Sequence, residues 1–213
     1  MRYSGLVVGI ERVLCSTAHL HRQAWEAVFT ALGIPCAGIA ALDFSTLGRT
    51  QGLDKLLEST NVRLCASERE TLLEEKNALY RNLLSTLCAD DLLPGARALL
   101  EEAKAAGLYV GAAATSKNAV LTLKYLGLAD FFDAVSDGND LFPGDAPGLV
   151  YRKACEYMDV LPARCLVWEG VAQKALEAEA AGMRAVLGGC AQARAALFSP
   201  GPGTLPDGSM LAV

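Results

Sequence analysis

Gly5-Leu6-Val7-Val8-Gly9-Ile10-Glu11-Arg12-Val13-Leu14-Cys15-Ser16-Thr17 opens as an unbroken apolar run and closes on polar residues. A strand buried on both faces loses hydrophobic alternation, so Gly5 to Ile10 reads as a central strand of a parallel sheet. Thr17 then opens an amphipathic helix with Ala18, Ala24, Trp25, Val28, Phe29 and Leu32 on one face. The carboxyl end of such a strand is where α/β sheets place their sites.

Outward from this stretch the chain divides. Residues 15–92 are rich in helix signals and poor in strand signals. Ser67-Glu68-Arg69-Glu70 has the spacing of a capping box, opening a helix that runs past Leu72, Leu73, Leu79, Tyr80 and Leu83 to about Leu87. Leu53, Leu56 and Leu57 form the inner face of another helix. Pro94-Gly95 marks the return to a core in which helix and strand alternate. Helices are expected over Ala96–Ala106, Asn118–Gly127, Leu149–Met158 and Val171–Ala181, and strands over Leu108–Ala114, Phe132–Val135, Cys165–Trp168 and Arg184–Leu187. That alternation predicts an α/β fold with a parallel sheet, helices on both faces and right-handed crossovers. The organisation is then 1–14 and 93–198 as α/β core, 15–92 as an inserted helical domain, and 199–213 as a Pro/Gly-rich tail, surface-lying or mobile.

The 213 residues, 52% of them hydrophobic, suffice for one α/β core plus a small inserted domain. A net charge of −5 argues against a nucleic-acid surface. No apolar run approaches membrane-spanning length, and the first residues lack the plan of a secretory signal, so a cytoplasmic protein is the simple expectation. The seven cysteines lie far apart, without zinc-site spacing, and their odd number does not suit a disulfide framework. They read mostly as buried thiols. His19 and His21, with no third ligand beside them, read as hinge and surface residues.

The opening stretch resembles the first motif of the haloacid dehalogenase-like (HAD) superfamily, in its β-phosphoglucomutase branch, on Val13, Thr17, Ala18, His21, Ala24, Trp25 and Gly33-Ile34. The resemblance runs from about Gly5 to Gly188. It implies a Rossmann-like core with an α-helical cap, and a phosphatase or phosphomutase chemistry in which an aspartate attacks phosphorus, a hydroxyl and a lysine hold the phosphoryl group, and carboxylates bind Mg²⁺. The residues at those places differ. Gly9 occupies the nucleophile position, Glu11 that of the acid/base aspartate, and Arg12 that of the following glycine. Ala114 stands at the hydroxyl position, with Thr115 and Ser116 next to it. Asp145 stands at the lysine position, and Glu169-Gly170 at the acidic metal pair, which leaves Glu169 as a weak metal ligand.

Magnitudes show what is at stake. Phosphate-monoester hydrolysis needs acceleration of up to about 10²¹-fold. Glycine has no side chain to carry phosphate. An aspartate in place of lysine reverses the sign of a contact worth about 4 kcal/mol at about 4 Å and an effective dielectric near 20. Two lost carboxylates remove most of the hard oxygen ligands that Mg²⁺ takes. No cofactor is therefore expected, with Mg²⁺ needed only if family activity survives.

The ligand-contacting places fit better. By resemblance, Thr17, His21, Arg49, Lys76, Asn77, Ser116, Lys117 and Asn118 are candidates for holding a phosphorylated small molecule. Ser116-Lys117-Asn118 at a helix start suits an anion, through backbone N–H groups and the ammonium charge. Two simpler readings are that Ser116 and Asn118 only cap the helix, and that Arg49 and Lys76 are solvated cations. Three functional readings follow: a phosphotransfer-silent relative that binds a metabolite or protein; an enzyme of altered chemistry using Glu11, Asp145 or Glu169 as acid or base; and an active phosphatase or phosphoglucomutase with non-standard residues.

Overall fold

The computed structural model describes residues 2–36, 38–58 and 60–199. Five parallel strands, β1 (Gly5–Val8), β2 (Tyr109–Ala113), β3 (Ala134–Ser136), β4 (Cys165–Glu169) and β5 (Arg184–Leu187), form one sheet in the order β3-β2-β1-β4-β5. The opening strand is thus central, with Gly5 level with Tyr109 on one side and Cys165 on the other. Its four residues are all buried, which is why the run reads apolar throughout.

Alternate side chains sort to opposite faces. Leu6 and Val8, with Val110, Ala112, Leu166 and Trp168, pack beneath α4 (Ala96–Ala105), α5 (Ala119–Tyr125) and α8 (Cys190–Phe198). Val7, Ala113 and Val167 face α6 (Leu149–Tyr157) and α7 (Ala172–Ala180). Three further helices, α1 (Ala18–Ala31), α2 (Arg49–Glu58) and α3 (Ala66–Leu84), have apolar clusters of their own, around Trp25, Phe29, Leu53 and Leu56 and around Leu20, Tyr80 and Leu84. Among the described residues no helix is long and apolar enough to cross a membrane.

Local departures from the expected elements have local causes. β1 stops at Val8 because the Ile10 carbonyl turns back to accept the N–H groups of Val13, Leu14 and Cys15 at 2.9–3.3 Å. Leu32 lies past the end of α1 and is 52% exposed, not on its buried face. The capping box sits two residues earlier than Ser67–Glu70: Glu68 accepts the Cys65 N–H at 2.7 Å, so α3 starts at Ala66 and ends at Leu84. β3 begins at Ala134, since the Asp133 side chain takes the Val110 N–H at 2.7 Å. Helix α8 was not expected; its alanine-rich sequence buries only Ala193 and Leu197. Of the cysteines, Cys15, Cys155 and Cys165 are buried, Cys36 and Cys190 are half-buried, and Cys65 and Cys88 are exposed, all as free thiols. Apart from Ser199, the expected tail lies outside the described residues.

Candidate functional site

Chain order reverses about β1, because β2 and β3 lie to one side of it and β4 and β5 to the other. A crevice opens at such a point. Here a cavity of about 240 Å³ lies over the carboxyl ends of β1, β2 and β4, roofed by residues of α1, α3 and the 44–49 segment. Of the expected residues, Glu11, Thr17, His21, Arg49, Asn77, Ser116, Lys117, Asn118 and Glu169 line it.

The side chain of Glu11 is engaged by the start of α1. Thr17 donates its N–H at 2.9 Å and its hydroxyl at 2.8 Å to Oε2, and Ser16 donates to Oε1 at 3.2 Å. The Tyr80 hydroxyl donates to Thr17 Oγ1 at 3.1 Å, tying this helix start to α3. An acceptor there suits the positive end of the helix.

Lys76 is not a solvated cation. It is 3% exposed and lies behind the cavity wall, with Nζ 2.5 Å from His21 Nδ1 and 4.6 Å from the centre of the Tyr80 ring. His21 stacks on Tyr80 with centroids 3.8 Å apart and planes 14° from parallel. Burial, then the nearby Arg49 charge, pulls the Lys76 ammonium down to about 7. Burial, then Lys76, holds the His21 imidazole well below its usual value, consistent with Nδ1 accepting. Arg49 and Lys117 line the cavity and are exposed.

Asn118 stands at the N-cap of α5, but its side chain does not cap the helix. Its Nδ2 donates to Asn77 Oδ1 at 2.9 Å, joining α3 to the start of α5, while Ser116 Oγ accepts the Asn118 N–H at 3.2 Å. No side chain caps α5.

The cavity floor carries the main surprise. Glu169 is 4% exposed, accepts a 2.6 Å hydrogen bond from Tyr151 through Oε1 and the Gly170 N–H at 3.1 Å through Oε2. Burial pushes its carboxyl up to about 7, against the pull of Tyr151, backbone N–H groups and Lys174. Its carboxylate fills the space above Gly9: a Cβ built on Gly9 would lie 2.3 Å from Oε1 and 2.7 Å from Oε2. Gly170 is closed off as well, since a Cβ there would lie 2.5 Å from Arg12 Cβ and 2.6 Å from the Arg12 carbonyl oxygen. Arg12 itself has a left-handed φ of 60° and an exposed ion pair with Asp43 at 2.9 Å. The two glycines at the expected carboxylate positions therefore have their side-chain space occupied.

Asp145 does not reach this cavity. It accepts the Phe142 N–H at 2.7 Å and borders a neighbouring hollow of about 220 Å³ that shares Thr115 and Lys174 with the main one. Lys174 pairs with Glu177 at 2.9 Å. Sequence reasoning passed over both Tyr151 and Lys174. A lysine in the first turn of α7 opposes the helix dipole, a signal that could have flagged it; Tyr151 offers no such signal. Among the described residues no three His, Cys, Asp or Glu side chains converge on a metal position, and neither Gly9 nor Gly170 has room for a carboxylate.

A strand-end cavity at the switch point of a parallel sheet, roofed by helices, defines an α/β protein with a ligand-sized crevice. The model of the haloacid dehalogenase-like hydrolases matches residues 10–181, and the chain belongs to that family. It is 29% identical to the β-phosphoglucomutase of Bacillus subtilis over 183 residues, covering 85% of this chain and 81% of that one. It is 26% identical to Protein CbbY of Rhodobacter capsulatus over 215 residues, covering 97% and 94%. Among solved structures, the fold matches β-phosphoglucomutase from Clostridium difficile with a TM-score of 0.76 at 24% identity, over 90% of this chain and 87% of that one. A CbbY mutant from Rhodobacter sphaeroides, solved in complex with xylulose-(1,5)bisphosphate, matches with a TM-score of 0.72 at 22% identity, over 88% and 86%.

Proposed function

We propose that this family member binds a phosphorylated small molecule in the cavity and does not transfer its phosphate. Residues 15–92 act as a helical cap over the core, and the phosphate lies toward Arg49 and Lys117, with Asn77, Asn118, Ser116, Thr17 and His21 around the ligand and Lys76 behind them. A β-phosphoglucomutase among the relatives, and a CbbY mutant solved in complex with xylulose-(1,5)bisphosphate, support the ligand class. One observation carries the loss of chemistry: Gly9 has no side chain, and the Glu169 carboxylate packs into the space where a nucleophile would begin. Glu169 cannot take over that role simply by proximity. It is held by Tyr151 and Gly170, and with its carboxyl raised to about 7 it is partly protonated at neutral pH and so a weaker nucleophile. Asp145 at the lysine position supplies no cation to the phosphoryl group, and the metal set is incomplete.

Two measurements test this. With Mg²⁺ present, the protein is expected to show no turnover of p-nitrophenyl phosphate or β-glucose 1-phosphate; metal-dependent turnover above a matched control would overturn the loss of phosphotransfer. Calorimetric titration with a panel of sugar phosphates is expected to detect binding; heats indistinguishable from dilution at millimolar ligand for the whole panel would overturn the binding role.

A further inference from the structure

The cavity is electrically polar from roof to floor. Arg49 and Lys117 line it, with Lys76 near Arg49, whereas the cation acting on Glu169 is Lys174, which is paired with Glu177; among the described residues no three metal-ligating side chains converge. The groups facing Glu169 come from each element around it. Tyr151 of α6 donates to it. Lys174 of α7 pulls on its proton, yet that ammonium is already committed to Glu177 at 2.9 Å. From the loop after β1, Glu11 adds a second acidic side chain to the cavity lining, and Arg12 is turned to Asp43. A phosphate at this floor would meet carboxylate oxygens with no uncommitted cation to offset them, and like charges at short range repel strongly in a partly enclosed site. A hydroxyl is different, since it donates to a carboxylate and carries no charge.

We infer that Glu169, folded over Gly9, makes the floor a hydroxyl-accepting and phosphate-rejecting pole, so that the cavity selects a sugar or polyol bearing one phosphate over the same compound bearing two. The inference rests on the proposed binding role and adds the direction in which the ligand lies: phosphate toward Arg49 and Lys117, hydroxyls toward Glu169.

The test is calorimetric titration in chelator-containing buffer with glucose 1-phosphate, glucose 6-phosphate and glucose 1,6-bisphosphate, on the parent and on Glu169→Gln. The glutamine keeps an oxygen to accept from Tyr151 and removes the charge. At about pH 8 the bisphosphate is expected to bind the parent at least about tenfold more weakly than the better monophosphate. In Glu169→Gln at the same pH the gap is expected to fall to within about threefold. Bisphosphate binding to the parent as tightly as the monophosphate, or a gap unmoved by Glu169→Gln, would overturn the inference and leave the binding role standing. If neither monophosphate nor bisphosphate binds the parent, the binding role fails and the inference fails with it.

Discussion

Replacing Gly9 by alanine adds one methyl group at the place where phosphotransfer in the family is expected to start. That methyl carbon would lie 2.3 Å from Glu169 Oε1, 2.5 Å from Cδ and 2.7 Å from Oε2, far inside contact distance. Gly9 does not have a left-handed φ, so the backbone accepts alanine and the clash alone sets the outcome. Glu169 must move, giving up its 2.6 Å bond from Tyr151 or its 3.1 Å bond from Gly170 in a wall that is 4% exposed. Overpacking of this kind costs about 1–3 kcal/mol, and for a chain of this size each kcal/mol lowers Tm by about 2–4 °C. Urea unfolding followed by circular dichroism, with an unchanged slope, measures the loss. Shortening the obstacle should relieve it. In a cycle of Gly9→Ala, Glu169→Ala and the double variant, the coupling is expected to exceed about 1 kcal/mol in the favourable direction. Additivity within about 0.5 kcal/mol would refute the argument that Glu169 occupies the place of the residue-9 side chain. The same reasoning predicts that Gly9→Asp by itself does not restore phosphotransfer.

Gly170→Ala is expected to destabilise more than Gly9→Ala in the same unfolding assay, because its obstacle includes the Arg12 carbonyl at 2.6 Å, which cannot rotate away as a side chain can. Stability against pH separates the two buried ionisable groups. Lys76 holds its proton up to 10.5 when unfolded and loses it at about 7 when folded, so its contribution to stability rises with pH between those values; Lys76→Met is expected to gain most on the parent at or below about pH 7, and less toward pH 10. Glu169 shows the opposite trend in a lower window, since the fold raises its carboxyl from 4.5 to about 7; Glu169→Gln is expected to gain on the parent as pH rises through that interval. Both are read from urea midpoints across pH, and a flat difference for either variant would refute its assignment. Thiol labelling of the native protein is expected to modify the exposed Cys65 and Cys88 first and Cys15, Cys155 and Cys165 only on unfolding, resolved by peptide mass spectrometry.

Much of the architecture was legible in the chain, for reasons that can be traced to particular residues. The apolar run at Gly5 marks a central strand because both of its faces are covered by other elements, and Gly107 and Gly182 mark helix ends because both take a left-handed φ that glycine adopts freely. Boundaries were less legible where a side chain competes with the backbone for hydrogen bonds. Glu68 captures the Cys65 N–H and Asp133 captures the Val110 N–H, and neither choice is encoded in periodicity. Helix α8 escaped notice because two buried residues do not make a visible stripe.

The sequence by itself determined the family and the parallel α/β plan, because strand hydrophobicity, turn residues and motif spacing are local properties. Only the tertiary structure decided what surrounds Gly9, Gly170, Lys76 and Asp145. It folds Glu169 over Gly9, closes Gly170 with Arg12, buries Lys76 behind His21 and leaves Asp145 outside the cavity. Each of these depends on contacts between residues far apart in the chain, and the space available to a side chain is set by what the rest of the fold has already placed there.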